Sequence, residues 1–174
     1  MLIVLAPTAG AASQRELAGW SRVWIADPIY RFIFERALDG AARKLTQPDC
    51  QSVFGIFRDA SGTPLSERLA ALGLTVVEYL RFVVFVDGAQ GCRDEMAHTK
   101  PGSRVVFVCS RRFEVGWRND PDHAEAAIIH EVLHTLGLGE NPPASAEITA
   151  VVRGACRSPA LQRRLASGRR SRRD

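Results

Sequence analysis

The stretch AIIHEVLHTLGLGENPP, residues 127–143, decides how the rest of the chain is interpreted. On an α-helix, residues four apart lie on one face with their Cβ atoms about 6 Å apart, so His130 and His134 can bind one metal ion. Glu131 is rotated by about 100° from His130 and reaches the edge of the same site, where a general base belongs. The run therefore predicts two metal ligands and one proton acceptor.

The flanking residues predict a helix with clear ends. Asn119 or Asp120 can cap it, Pro121 suits its first turn, and Gly137 ends it. The stripe away from the histidines is apolar and suits a core: Ala126, Ile129, Leu133 and Leu136. The alternative is that the two histidines only face solvent from a surface helix.

The longer string HEVLHTLGLGE resembles the signature His-Glu-x-x-His-x-x-Gly-x-x-His of the metzincin branch of the zincin metallopeptidases. It has Glu140 where the last histidine stands, and it matches at four positions: His130, Glu131, His134 and Gly137. Metzincins also have a methionine turn after the motif, whereas Met1 and Met96 both precede it here. The chain is therefore similar to a metzincin-like zincin rather than to a metzincin proper. The string HTLGLGENPP is also similar to one in small bacterial proteins.

The third metal ligand has two candidates. A catalytic zinc takes three protein ligands and keeps one position open, and two histidines with one glutamate are an accepted set. Gly137 can adopt a positive φ and turn the chain back, so that Glu140 arrives where the metzincin third ligand arrives. The gluzincin branch takes a glutamate from a following helix, which makes Glu147 the rival. The interval from His134 to Glu147 is short for that arrangement and favours Glu140.

The resemblance implies a zinc-dependent peptidase that hydrolyses peptide bonds through a zinc-bound water, with Glu131 as general base. Zincins bind substrate extended along an edge strand, for which Val105 to Cys109 is the candidate. The oxyanion-stabilising partner stays open among Tyr30, Tyr79, His98 and the arginines of SRRF, residues 110–113.

Two other classes of function remain. One is a zinc-binding, non-proteolytic domain with the zincin fold, which the intact Glu131 disfavours. The other is an interaction protein that uses its arginine-rich end on an anionic surface. His98 and His123 are expected at the surface rather than as metal ligands. His123 lies two helical turns before His130, too far to bind the same ion.

Elsewhere the pattern predicts a single α+β domain over residues 20–158, with a small mixed sheet, an N-terminal helix and the helix that bears the histidines. Asp27 and Pro28 begin the N-terminal helix, residues 27–45. A short helix or extended piece precedes a turn at residues 60–64, and a second short helix that ends at Gly73 follows it. The remaining elements are a strand over residues 80–88, a strand over 103–113 with an irregular loop before it, and a helix over SAEITAVVRGAC, residues 145–156.

Four dispersed cysteines indicate two structural disulfides and an oxidising compartment. Of the three connectivities, Cys92 with Cys109 and Cys50 with Cys156 is the favoured one, and four buried thiols are the alternative. Residues 1–14, MLIVLAPTAGAASQ, are interpreted as a truncated signal peptide, too short to span a bilayer. The expected location is therefore secreted or periplasmic.

The net charge of +4 is unevenly distributed: residues 157–174 carry +6, and residues 1–156 carry −2. A basic nucleic-acid-binding face on the domain is therefore not expected. Residues 159–174 are predicted to be a basic, disordered tail. The expected partner is a protein or peptide substrate, bound by a monomer without a membrane span.

Overall fold

The computed structural model describes residues 20–88, 92 and 94–157. Within these ranges the chain forms seven helices: α1 (Pro28–Leu45), α2 (Pro48–Ile56), α3 (Leu65–Ala71), α4 (Val76–Phe82), α5 (Ser110–Asn119), α6 (Pro121–Thr135) and α7 (Ser145–Ala155). It also forms four short strands: β1 (Val23–Trp24), β2 (Val84–Asp87), β3 (Ala97–Thr99) and β4 (Val105–Val108). The predicted α+β class is confirmed. The expected signal peptide over 1–14 and tail over 159–174 lie outside the described residues.

The four strands form one mixed sheet in the order β1-β2-β4-β3. β1, β2 and β4 are parallel, and β3 pairs antiparallel with β4. The prediction that Val105 to Cys109 form an edge strand is wrong, because β4 lies between β2 and β3 in the sheet. β3, within the segment predicted as loop, forms the edge instead. Its three residues, Ala-His-Thr, are too few to show an alternating pattern.

Both predicted strands are also shorter than expected, because part of each predicted range is helical. Residues 80–82 are the last turn of α4, which Thr75 and Glu78 begin with reciprocal side-chain-to-backbone hydrogen bonds. Residues 110–113 are the first turn of α5, a helix that the sequence analysis did not predict.

α1 forms where its capping residues predict. The Asp27 Oδ1 atom accepts hydrogen bonds from the backbone N–H groups of Ile29 and Tyr30, at 2.8 and 3.2 Å, and Pro28 is the first helical residue. The Phe34 ring lies 5.1 Å from the ring of Phe85 on β2. α1 therefore packs on the sheet.

A buried charge joins α1 to α6. The Lys44 side chain is almost fully buried, and its Nζ atom lies 2.7 Å from Asp122 Oδ1 and 3.1 Å from Glu125 Oε2. Gly40 makes room for this contact, because a Cβ at position 40 would overlap the Glu125 carboxylate. A buried lysine needs such partners, since an unpaired buried charge is strongly destabilising.

The two disulfides are those the sequence favours. Cys50 on α2 is bonded to Cys156, directly after α7, across 106 residues of sequence. Cys92 is bonded to Cys109, at the end of β4. In the described part of the chain, helices that combine the length and apolar character needed to cross a bilayer are absent.

Candidate metal centre

The helix that carries the histidine pair has well-defined ends. Asp120 Oδ1 accepts a hydrogen bond from the backbone N–H of His123 at 3.0 Å, and Pro121 is the first helical residue. After Thr135 the chain turns at Gly137, whose φ is +110°. The N–H of Leu138 donates to the carbonyl of Leu133, a glycine-dependent helix ending. The predicted bounds of the motif helix are confirmed.

A loop before α3 supports the turn at Gly137. A side chain at position 137 would place its Cβ 3.1 Å from the Cβ of Asp59. Asp59 is buried and organises its own loop: its Oδ1 accepts from Ser61 and from the N–H of Thr63, and its Oδ2 lies 2.6 Å from Arg68 Nε. These contacts, led by the Ser61 hydroxyl, lower the pKa of Asp59 to about 2. The loop thus fixes the point where the chain leaves α6 towards Glu140.

The two histidines point their Nε2 atoms at each other and towards Glu140. His130 Nε2 and His134 Nε2 are 2.9 Å apart, and both rings are buried. Glu140 Oε1 lies 4.0 Å from His130 Nε2 and 3.9 Å from His134 Nε2. The three residues predicted as ligands therefore meet at one point, with Glu140 partly exposed.

The outer nitrogens of both rings have partners that set their orientation. His134 Nδ1 lies 2.8 Å from the Leu138 carbonyl oxygen. A carbonyl only accepts, so Nδ1 carries the proton and the neutral ring keeps the Nε2 lone pair free. His130 Nδ1 lies 3.0 Å from the Thr149 hydroxyl on α7. Such outer partners are typical of metal-binding histidines.

The three ligand atoms fit a metal ion of zinc's size and preference. Zinc–nitrogen bonds of about 2.0–2.1 Å in a tetrahedral site place neighbouring ligand atoms roughly 3.3 Å apart. The separations here, 2.9 to 4.0 Å, lie on both sides of that value. Burial, and secondarily His134, lower the pKa of His130 to about 4, which keeps the imidazole neutral, the form that binds metals. This group can hold a metal ion.

Glu147, the rival third ligand, is exposed in the first turn of α7 and is not part of this group. Thr149, two residues later in α7, makes the contact to His130 instead. α7 therefore approaches the histidines, but with a hydroxyl rather than a carboxylate.

Glu131 lies beside the histidines as a buried acid. The residue is 8% exposed, and its Oε2 atom has no hydrogen-bond partner among the residues that the structure describes. Burial raises the pKa of the Glu131 carboxyl to about 8, and the negative charges of Glu140 and Glu95 add to that increase. An unpaired buried acceptor is unfavourable for folding, and perturbed acids of this kind are concentrated at functional sites.

These groups line one cleft of about 430 Å³. One wall is the segment 95–99, which contains the edge strand β3; the other is α6, with Ser145 and Thr149 from the start of α7. The cleft places β3 opposite the histidines, the carboxylate of Glu131 and the carboxylate of Glu140.

Most of the other predicted candidates lie elsewhere. The Tyr79 hydroxyl donates to the Thr135 carbonyl at 3.2 Å and is buried. The arginines of SRRF are exposed on α5. His98 is half-buried on β3, where its ring stacks on Phe107 at 5.3 Å, and it lines the cleft.

His98 also lies near Cys92 and Cys109, but those two cysteines are bonded to each other and offer no thiolate to a metal. His123 is half-buried in the first turn of α6, so the expected surface position of both histidines is only partly correct.

Sequence reasoning did not assign a role to Thr149, the Leu138 carbonyl or Glu95. Thr149 reaches His130 through the packing of α7 on α6, which no spacing along the chain encodes. The contact of the Leu138 carbonyl with His134 could have been predicted from the sequence, because the turn at Gly137 brings that carbonyl back to His134. Glu95 stood in a segment without periodicity, and only its position beside β3 brings it to the cleft.

Comparisons of the chain with protein-family models, with curated proteins and with solved structures give no match.

Proposed function

We propose that the protein is a zinc-dependent peptidase. One observation carries the proposal: two buried histidine Nε2 atoms and a glutamate oxygen meet within 4.0 Å, beside a buried carboxylate with an unpartnered oxygen. Three of these four residues, His130, Glu131 and His134, match the zincin pattern His-Glu-x-x-His in sequence. Geometry and pattern thus assign the same roles to the same atoms.

The donor set supports zinc as the metal. Two imidazoles and one carboxylate are a recognised zinc set with one open position, and softer ligands such as thiolates are absent from the described residues at this site. When bound, zinc would lower the pKa of a coordinated water and polarise a substrate carbonyl. His130, His134 and Glu140 are the residues that would hold it.

The proton transfers of the reaction are assigned to side chains of the protein. In peptide hydrolysis the hydroxyl of water is added to the carbonyl carbon, the C–N bond breaks, and the nitrogen gains a proton. We assign both proton transfers to Glu131, which accepts the proton of water and delivers it to the leaving amine. Its buried position in the cleft and its unpartnered oxygen suit a group that exchanges a proton with a molecule bound beside it.

β3 is the candidate for binding the substrate main chain. It is one of the two edge strands of the sheet, it lines the cleft, and its pairing with β4 uses only one of its two sides. An extended peptide could add to the free side through backbone hydrogen bonds. The edge-strand role expected for residues 105–109 is therefore moved to residues 97–99.

We also propose an exported location, secreted or periplasmic. Two disulfides persist in oxidising compartments and are rare where thiols are kept reduced.

The test is cleavage of a broad peptide library by the zinc-loaded protein, followed by mass spectrometry, with Glu131→Gln as the variant. We expect Glu131→Gln to keep its zinc and to lose activity by about 100-fold or more, because only the proton transfer is removed. Glu67→Gln, an exposed change on α3, is the matched control. If the wild-type protein binds zinc and cleaves nothing, the non-proteolytic zinc-binding domain becomes the better interpretation.

A further inference from the structure

The cleft is rich in acidic side chains. Three carboxylates line it, those of Glu95, Glu131 and Glu140, and the described lining residues include no lysine or arginine. The remaining lining groups are histidines and uncharged side chains. A cleft with charge of one sign and low-dielectric walls concentrates the field and attracts groups of the opposite sign.

Two of the three carboxylates have roles in the proposed chemistry, and Glu95 has none. Glu140 is a ligand in that proposal and Glu131 is the proton carrier. Glu95 lies on the other wall, directly before β3, with its side chain partly exposed to the cleft.

In the described part of the chain, Glu95 forms no ion pair with a lysine or an arginine. The Arg112 guanidinium lies 3.8 Å from Asp94 and does not line the cleft. His98 Nδ1 is 4.0 Å from Glu95 Oε1, outside hydrogen-bond distance. Hydrogen bonds from backbone N–H groups, its own first, lower the pKa of Glu95, so it is ionised at neutral pH.

A second feature points to a ligand in the same cleft. Glu131 is more than nine-tenths buried and lines the cleft, with Oε2 unpartnered among the described residues. Buried acceptors are nearly always hydrogen-bonded, and each exception needs an explanation. A bound molecule that supplies a donor in this cleft accounts for it.

We propose that this cleft selects peptides with a cationic group next to the bond to be cleaved, and that Glu95 is the residue that recognises that group; this inference rests on the proposed peptidase function. The cation is the ammonium or guanidinium of a Lys or Arg side chain, or the free amino group of a peptide N-terminus. An opposite charge on the substrate gains from the field of Glu95, whereas an acidic group at the same position is repelled by the Glu95 carboxylate.

The first test uses matched peptides that differ at one residue: lysine, norleucine or glutamate, each with a free and with an acetylated N-terminus. We expect kcat/KM to be about tenfold higher for lysine than for norleucine, a difference of roughly 1.4 kcal/mol, and lowest for glutamate. Added salt should reduce the lysine preference, because screening weakens exposed charge pairs. Comparison of the free and acetylated series shows which source of cation is recognised.

The variant is Glu95→Gln, with Glu67→Gln as the control of equal charge change remote from the cleft. Glu95→Gln should abolish most of the lysine preference, so that its kcat/KM for the lysine peptide falls to about that for the norleucine peptide, whereas Glu67→Gln keeps the tenfold difference. Zinc content is measured in each preparation, so that loss of the metal is not mistaken for loss of selectivity. Equal rates on all three peptides, or a lysine preference that survives Glu95→Gln, would overturn the inference and leave the peptidase proposal intact.

A binding measurement separates failure of this inference from failure of the peptidase proposal. The zinc-loaded Glu131→Gln protein is titrated calorimetrically with the same peptides. Tighter binding of the cationic peptides without cleavage by the wild type would support the charge selectivity and refute the peptidase activity. Equal affinities for the lysine, norleucine and glutamate peptides would overturn the inference, whether or not the wild type cleaves them.

Discussion

At the scale of single residues, the Thr149 hydroxyl is the least obvious part of the metal centre. It lies 3.0 Å from His130 Nδ1 and suits either tautomer of that ring. It donates when Nδ1 is bare, and it accepts when Nδ1 carries the proton, which is the form that leaves Nε2 free to bind a cation. Thr149 is therefore a positioning residue for the first ligand.

We predict that Thr149→Val binds zinc about 10- to 100-fold more weakly, because outer partners of ligating histidines contribute that much. Thr149→Ser keeps the hydroxyl and should recover most of the affinity. Competition with a chromophoric chelator measures both constants. Equal affinities of wild type and Thr149→Val would show that α7 only packs beside the site.

Asp59 allows a prediction about pH. Its folded pKa of about 2 lies below the ordinary value of 3.8, so the folded state binds the proton less readily than the unfolded state does. The resulting stability is fully present above about pH 4 and is lost as pH falls towards 2. Wild type should therefore be more stable than Asp59→Asn at pH 7, and the difference should shrink near pH 3.

Urea unfolding at the two pH values measures this difference. Asp94→Asn, a change at a fully exposed carboxylate, is the control and should shift little at either pH. A wild-type advantage that is the same at pH 7 and pH 3 would contradict the assignment.

At the scale of secondary structure, α6 depends on α1 for its position. Lys44 reaches from α1 to the first turn of α6 and to Glu125, and Gly40 leaves the space for that contact. The pairing fixes the start of the helix whose later turns carry His130 and His134. Local capping by Asp120 defines where α6 begins, and the buried ion pair defines where it lies.

We predict that Lys44→Ala lowers the free energy of unfolding by roughly 3 kcal/mol, since it leaves two acids without their buried partner. Lys44→Met, which keeps most of the volume, should lose less. Arg43→Ala, at the exposed neighbouring position, is the matched control and should change stability by under about 0.5 kcal/mol. Denaturant midpoints for the three variants test the ranking; similar midpoints for Lys44→Ala and wild type would refute it.

Helices were easier to predict than strands, for physical reasons visible at particular residues. α1 and α6 each have an acidic cap followed by proline, signals that act within four residues. β3 has no such local signal, because its existence depends on pairing with β4. Residues 110–113 have strand-like neighbours, but Ser110 begins α5, whose Phe113 is buried against Phe34. Tertiary packing outweighed local propensity there.

At the scale of the whole molecule, the disulfides and the site share elements. Cys50–Cys156 attaches the end of α7 to α2, and α7 carries Thr149. Cys92–Cys109 joins the segment before β3 to the end of β4, and β3 lines the cleft. Both covalent links therefore hold a wall of the cleft.

The ligand trio could be predicted from sequence because all three residues lie within eleven positions, joined by one helix and one glycine turn. The sequence favoured Glu140 over Glu147 without deciding between them, and the structure brings Glu140, not Glu147, to the histidines. The cleft's other wall could not be predicted in this way. Glu95 and β3 reach it through the order of strands in the sheet, which depends on contacts far apart in sequence.

Zinc binding, measured on the whole folded protein, tests the central claim most directly. A ligand that binds only the folded state raises its stability, so zinc should raise the melting temperature of the wild type as well as bind at about one ion per chain. We predict that Glu140→Ala loses most of both effects and that Glu147→Ala keeps them. Metal-stripped wild-type protein that takes up well under one zinc per chain, or a loss confined to Glu147→Ala, would contradict the site described above.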